Sequence, residues 1–194
     1  MATLRQTPSQ TVGPFFAYGL VPEQYGYQGL GSIAGSEMAP PDVEGKRIRV
    51  EGTVFDGAGA PIPDALIEIW QADAAGRYAH PADPRASNSN FKGFGRCGTG
   101  TDARKRFWFN TIKPGAADDN QAPHLNVIVT MRGMLLHAFT RIYFPDDAKN
   151  ATDPVLNAVP ADRRGTLIAT AVENNVYRFD IHMQGEKETV FFDA

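Results

Sequence analysis

The sequence predicts an all-β fold, a β-sandwich of mixed topology with an extended N-terminal arm, long loops and one short helix. Three observations carry that prediction. About seven short stretches alternate apolar with polar residues, the period of a half-buried strand. Turn-forming clusters separate them, among them Asp56-Gly-Ala-Gly59, Pro61-Ile-Pro63 and Lys113-Pro-Gly115. A single stretch has helical character, so the core has to come from sheet packed on sheet.

The arm comes first, over residues 1–45. It holds Thr7-Pro-Ser-Gln-Thr-Val-Gly-Pro-Phe-Phe16 and then a segment rich in Gly, Pro and Tyr, with neither helix nor strand period. Phe15, Phe16, Tyr18, Tyr25 and Tyr27 are more aromatic surface than a solvated tail holds, so the arm is expected to lie against a partner or its own domain. The sandwich domain is expected over residues 46–194. Its first strand has Ile48, Val50, Gly52 and Val54 on one face and Arg47, Arg49, Glu51 and Thr53 on the other. Ala65-Leu-Ile-Glu-Ile-Trp-Gln71 is the second, where Glu68 needs a partner if buried and Trp70 is large enough to anchor a core. Residues 72–100 read as a polar excursion, long enough to suggest function or interface. Strands resume at Arg106-Phe-Trp-Phe-Asn-Thr-Ile112, at 121–133 and at Ala138-Phe-Thr-Arg-Ile-Tyr-Phe144. The predicted helix covers residues 162–171, with Asp162 placed to cap it and Leu167, Ile168 and Ala171 on one face. Val176-Tyr-Arg-Phe-Asp-Ile-His-Met183 and Thr189-Val-Phe-Phe192 complete the strands.

Length and composition bound the function. A chain of 194 residues suits one domain with an arm. With 19 basic against 22 acidic residues and no block of like charge, it lacks the basic stripe that a nucleic-acid partner requires. The single cysteine, Cys97, cannot close an internal disulfide. No signal peptide is evident, and no apolar run nears the roughly 20 residues that span a bilayer. A cytoplasmic protein without a membrane segment is expected.

Two residues stand out chemically. His124 and Asn126 are two apart on a predicted strand and project to one face. Two histidines there would clamp one ion, but an amide oxygen binds a redox metal far more weakly than imidazole does. Tyr78, in the polar excursion, could supply a hard anionic ligand for ferric iron. A structural histidine and a packing tyrosine would have the same spacing, so spacing alone leaves both readings open.

The motifs around these residues are more specific. Ile69-Trp-Gln-Ala-Asp-Ala-Ala-Gly-Arg-Tyr78, Phe94-Gly-Arg96, Asn110-Thr-Ile-Lys-Pro-Gly115, Ala122-Pro-His124, Arg141-Ile-Tyr-Phe144, Tyr177-Arg-Phe-Asp180 and Thr189-Val-Phe-Phe192 follow in unbroken order over nearly the whole chain. The chain thereby closely resembles the intradiol ring-cleaving dioxygenases. Thr7-Pro-Ser-Gln-Thr-Val-Gly-Pro14 and Gly185-Glu-Lys-Glu-Thr-Val-Phe-Phe-Asp193 are similar to the alpha-type chains of that family.

The resemblance implies a catalytic partner, called beta, that holds non-haem Fe(III) with two tyrosines and two histidines. Tyr78 and His124 fall at the first of each pair, while Asn126 replaces the second histidine. The loop Ala116-Ala-Asp-Asp-Asn-Gln121 contains no second tyrosine, and Gln121 stands where the family has an active-site arginine. By the resemblance, then, this chain binds no iron, and the beta chain holds it. The resemblance further implies a higher-order alpha/beta hetero-oligomer acting on a small aromatic substrate. Thr11, Gly13, Pro14 and Phe15 would reach the partner's substrate pocket, and Arg132 would face the same cavity. Arg132 could there attract a substrate carboxylate or stabilise anionic charge. Phe15 replaces a tyrosine that such chains often carry. Local alternatives are a turn-stabilising hydroxyl for Thr11 and a surface ion pair for Arg132. Two other functions stay open: a self-sufficient homomeric intradiol enzyme, which Asn126 and the missing tyrosine oppose, and a non-catalytic β-sandwich binding module.

Overall fold

The computed structural model describes residues 6–85 and 89–193. The described residues form two stacked sheets. One contains β1 (Arg47–Phe55), β4 (Arg106–Ile112), β7 (Thr170–Glu173), β8 (Val176–Arg178) and β9 (Ile181–His182). The other has the order β3 (Phe94–Gly98), β2 (Leu66–Trp70), β5 (His124–Thr130), β6 (Ala138–Tyr143). The first sheet is mixed, because β1 pairs antiparallel with β4 and parallel with β8 and β9. The second is antiparallel throughout.

Alternation decides which side chains enter the core. Val50, Val54, Phe107 and Phe109 from the first sheet meet Ile67, Ile69, Leu125, Val127, Val129 and Ile142 from the second, all buried. The outer face of the second sheet therefore carries the alternate residues. Phe94, Trp70, Asn126 and Arg141 stand there in one cross-strand row, with His124 opposite Tyr143 beside them. Trp70 was expected to anchor the core, but its strand parity puts it on this outer face, where it is half-buried. Glu68 also points outward and is paired with Arg96 at 2.6 Å.

Several local expectations are corrected. Residues 162–171 are not an α-helix: a 3₁₀ turn at Arg164–Leu167 leads into β7, which folds back on β8. Asn175 makes that hairpin possible with φ of 65°. The helix of this region lies earlier, as α2 (Pro154–Ala158), where the Asp153 side chain accepts from Leu156 N and Pro154 occupies the first turn. The strand expected at 176–183 is split into β8 and β9, because Asp180 Oδ1 takes the Thr53 amide at 2.9 Å in place of a backbone carbonyl. The segment 189–192 contributes one isolated bridge, Phe139 to Phe192, rather than a strand. β3 lies inside the excursion read as loop. Its glycines diluted the strand pattern, and the Met38 side chain packs into the space that a Cβ on Gly95 would take.

The arm is more ordered than its composition suggests. Residues Pro14–Leu20 form α1, with Pro14 at its first position, and a 3₁₀ turn follows at Pro22–Tyr25. Ala17 and Val21 pack with Leu66 of β2, so the helix lies over one end of the second sheet's outer face. Further along, Met38 N donates to Asn110 O at 2.9 Å, and Ala34, Met38 and Val43 are buried.

Candidate functional site

The outer face of the second sheet holds two clusters at opposite ends of β5. Six residue steps separate His124 from Thr130, about 20 Å at 3.3 Å per residue. The first cluster collects the iron positions expected from the resemblance. Gly76, at φ 77°, turns the chain after β2 so that the Tyr78 ring stacks on Trp70, with centroids 5.8 Å apart. Register places Asn126 between Trp70 and Arg141, and the Asn126 amide donates to the Tyr78 hydroxyl at 3.4 Å. His124 is buried, with Nδ1 2.8 Å from the Ala122 carbonyl. An open hollow of about 540 Å³ borders this cluster, lined by Trp70, Tyr78, His80, Asp83 and Arg85.

A cation already stands in this cluster. Arg141 donates to Gln121 Oε1 at 2.9 Å and to the Tyr143 hydroxyl at 3.3 Å. Burial lowers the His124 pKa, and the nearby Arg141 charge lowers it further, so the imidazole is neutral at pH 7. Burial raises the Tyr78 phenol, outweighing the Asn126 hydrogen bond and Arg141, so it stays protonated. Burial likewise pushes Tyr143 up to about 12. Asp153 anchors the edge, its buried carboxylate accepting from Ala122 N at 2.8 Å, Leu156 N at 2.8 Å and Tyr143 Oη at 3.1 Å.

This donor set does not fit a ferric ion. It offers one phenol, one imidazole, an amide that presents its N–H to the phenol, and a guanidinium held beside them. Among the described residues no group of three or more His, Cys, Asp or Glu is placed to hold a metal.

The second cluster brings together the residues expected at a partner's pocket. Thr11 Oγ1 donates to the Met131 carbonyl at 3.2 Å, a contact spanning 120 positions, so its role is not a local turn. That bond ties the arm to the residue before Arg132, in the turn joining β5 to β6. Gly13 is extended at φ −91° and has nothing within 4 Å of an added Cβ, so no crowding inside this chain requires a glycine. Pro14 opens α1, and Phe15 projects at 84% exposure with its ring edge-on to Tyr18. Arg132 has an ion partner, Asp64, with Nε 3.1 Å from Oδ2. The same turn exposes Leu135 and Leu136.

Three residues of these clusters were not singled out by sequence reasoning. Arg141 shares strand parity with Phe139 and Tyr143, so the outer-face pattern could have found it. Asp153 precedes a proline and an apolar pair, a helix-start signal. Asp64, in the turn before β2, carries no local signal of its approach to Arg132.

Comparison with known proteins follows the same lines. Residues 28–185 match a protein-family profile described as a dioxygenase. The chain is 54% identical to the protocatechuate 3,4-dioxygenase alpha chain of Burkholderia cepacia, over 100% of both chains. It is 38% identical to the protocatechuate 3,4-dioxygenase beta chain of the same organism, over 75% of this chain and 67% of that one. An intradiol ring-cleavage dioxygenase structure from Tetranychus urticae has the same fold, with TM-score 0.62 and 19% identity over 78% of this chain and 87% of that one.

Proposed function

Because the chain belongs to the intradiol dioxygenase family, we propose that it is the alpha subunit of a protocatechuate 3,4-dioxygenase, active together with an iron-bearing beta chain. What supports this reading is the first cluster, where an amide, Asn126, stands beside Tyr78 in place of a second imidazole and a guanidinium, Arg141, is bonded to Gln121 and Tyr143. The complex cleaves 3,4-dihydroxybenzoate between its two hydroxyl-bearing carbons. Both atoms of dioxygen enter the product, 3-carboxy-cis,cis-muconate, so no external reductant is needed. The non-haem ferric ion that supplies the oxygen chemistry belongs to the beta chain.

This chain shapes and closes the partner's pocket. Its arm, residues 1–45, contacts the beta chain, and the sandwich of residues 46–194 carries the arm. Phe15 offers an exposed aromatic wall to a planar ring. Pro14 fixes the start of α1 beside it, and Gly13 leaves room for close approach by the partner. Arg132 takes the substrate carboxylate, a task suited to a guanidinium with 67% of its side chain exposed. Thr11 holds the arm against the Arg132 turn. Alpha and beta chains assemble into a higher-order hetero-oligomer in the cytoplasm, where the buried, unpaired Cys97 thiol is at home.

The test is to purify this chain alone and with its beta partner, measuring iron and the visible tyrosinate-to-iron absorption. The expected result is neither iron nor colour in this chain alone, and both, with ring cleavage, in the complex. Stoichiometric iron and ring cleavage by this chain alone would overturn the reading.

A further inference from the structure

The turn before β2 buries a carboxylate under unusual terms. The Asp64 side chain is only 6% exposed. Neither of its oxygens has a hydrogen-bond partner among the described residues. Its counter-ion is Arg132, whose Nε lies 3.1 Å from Oδ2, close enough for an ion pair but not aligned as a hydrogen bond. A carboxylate withdrawn from water without hydrogen bonds is costly, which favours keeping that one guanidinium beside it.

The arrangement is asymmetric. Arg132 remains 67% exposed and donates no hydrogen bond to any described residue. Asp64 therefore meets the guanidinium through its Nε side, while the two Nη groups are uncommitted. The backbone on either side is fixed independently. Thr11 holds the Met131 carbonyl, and Ala65, next to Asp64, is pinned by Thr99, whose hydroxyl accepts from Ala65 N at 3.1 Å. A flexible arginine in an open turn is thus drawn to one spot by a charge that cannot move.

We propose that Asp64 is a positioning residue: its buried carboxylate holds the Arg132 guanidinium by the Nε side, leaving the Nη pair aimed to take the carboxylate of the aromatic substrate in the partner's pocket. This rests on the reading of Arg132 given above. A bidentate pair of that kind is geometrically demanding, so a guanidinium free to swing binds the substrate less well without altering the chemistry that follows.

The experiment uses the assembled alpha/beta complex with Asp64→Asn, Arg132→Ala and the double substitution, assayed on 3,4-dihydroxybenzoate and on catechol, which lacks the carboxylate. Asp64→Asn is expected to raise KM for the acid by about three- to tenfold with kcat changed less than about twofold, and to leave KM for catechol unchanged. Arg132→Ala is expected to raise KM for the acid by about tenfold or more, and the double substitution to match it. If Arg132→Ala leaves KM unchanged, the assignment of Arg132 to the pocket falls, and this inference with it. If Arg132→Ala acts but Asp64→Asn does not, or the two effects multiply in the double variant, the role of Asp64 alone is overturned. Equal losses on the acid and on catechol would also overturn it, marking Asp64 as a purely structural residue. Should Asp64→Asn fail to assemble, Asp64→Glu, which keeps the charge but displaces it by one methylene, carries the same KM test.

Discussion

Asp153 shows how much one side chain can organise. It is fully buried and accepts three hydrogen bonds, which join the start of β5, the first turn of α2 and the Tyr143 hydroxyl of β6. Asp153→Ala leaves three buried donors unpaired. At the lower end of roughly 1–3 kcal/mol per orphaned group, since Arg141 still bonds the Tyr143 hydroxyl, a stability loss of about 3–5 kcal/mol is expected, read from urea denaturation at unchanged m-value. Asp153→Asn keeps one acceptor and is expected to lose less; a loss below about 1 kcal/mol for Ala would show that water replaces the network. At this scale the sequence was legible wherever residue identity alone decided the chemistry. Asn126 cannot act as a histidine in any fold, and residues 116–121 hold no tyrosine. It was silent on pairings such as Asp64 with Arg132, since 68 positions separate them and no local rule links a turn aspartate to a distant arginine.

Among the elements, four strand periods translated directly into structure, whereas those near the C-terminus and the helix did not. β1, β4, β5 and β6 lie where alternation placed them, because a period of two buries every second side chain whichever strand lies alongside. α1 has seven residues and no side-chain cap, so it is too short to persist alone and forms only where Ala17 and Val21 find Leu66. Residues 162–171 have helical spacing, yet Leu167 is buried in a cluster with Tyr143 and Leu156, and Ala169 N bonds to the Tyr143 carbonyl at 2.9 Å, which draws the segment into extended form. The junction of β1 with the split β8 and β9 is the tightest of these contacts. A Cβ on Gly52 would collide with the Phe179 backbone carbonyl, which no rotamer change can relieve. Gly52→Ala is expected to cost about 3 kcal/mol or more, seen as a lowered thermal midpoint; a midpoint within a degree or two of the parent would mean that β8 and β9 can move away.

The molecule as a whole separates its two clusters along one strand. The end with His124 and Asn126 is closed by Arg141, and the end near Arg132 is joined to the arm through Thr11. A chain lacking residues 1–21 is expected to keep the far-UV spectrum of the sandwich, because none of the described residues up to 21 belongs to the main core between the sheets. In the complex the same deletion is expected to lower kcat/KM for 3,4-dihydroxybenzoate by at least about tenfold, whereas unaltered kinetics would detach the arm from the pocket. Among the described residues no helix is long and apolar enough to cross a membrane. By itself the sequence determined the sandwich class and the family, because the first is written in local period and the second in motifs of side-chain identity. The tertiary structure alone decided that Arg141 bonds to Gln121 and Tyr143 beside Asn126, that Asp64 pairs with Arg132 and that the arm forms a helix. Those outcomes depend on burial and charge pairing between segments far apart in the chain, and such free energies exist only once the sheets have stacked.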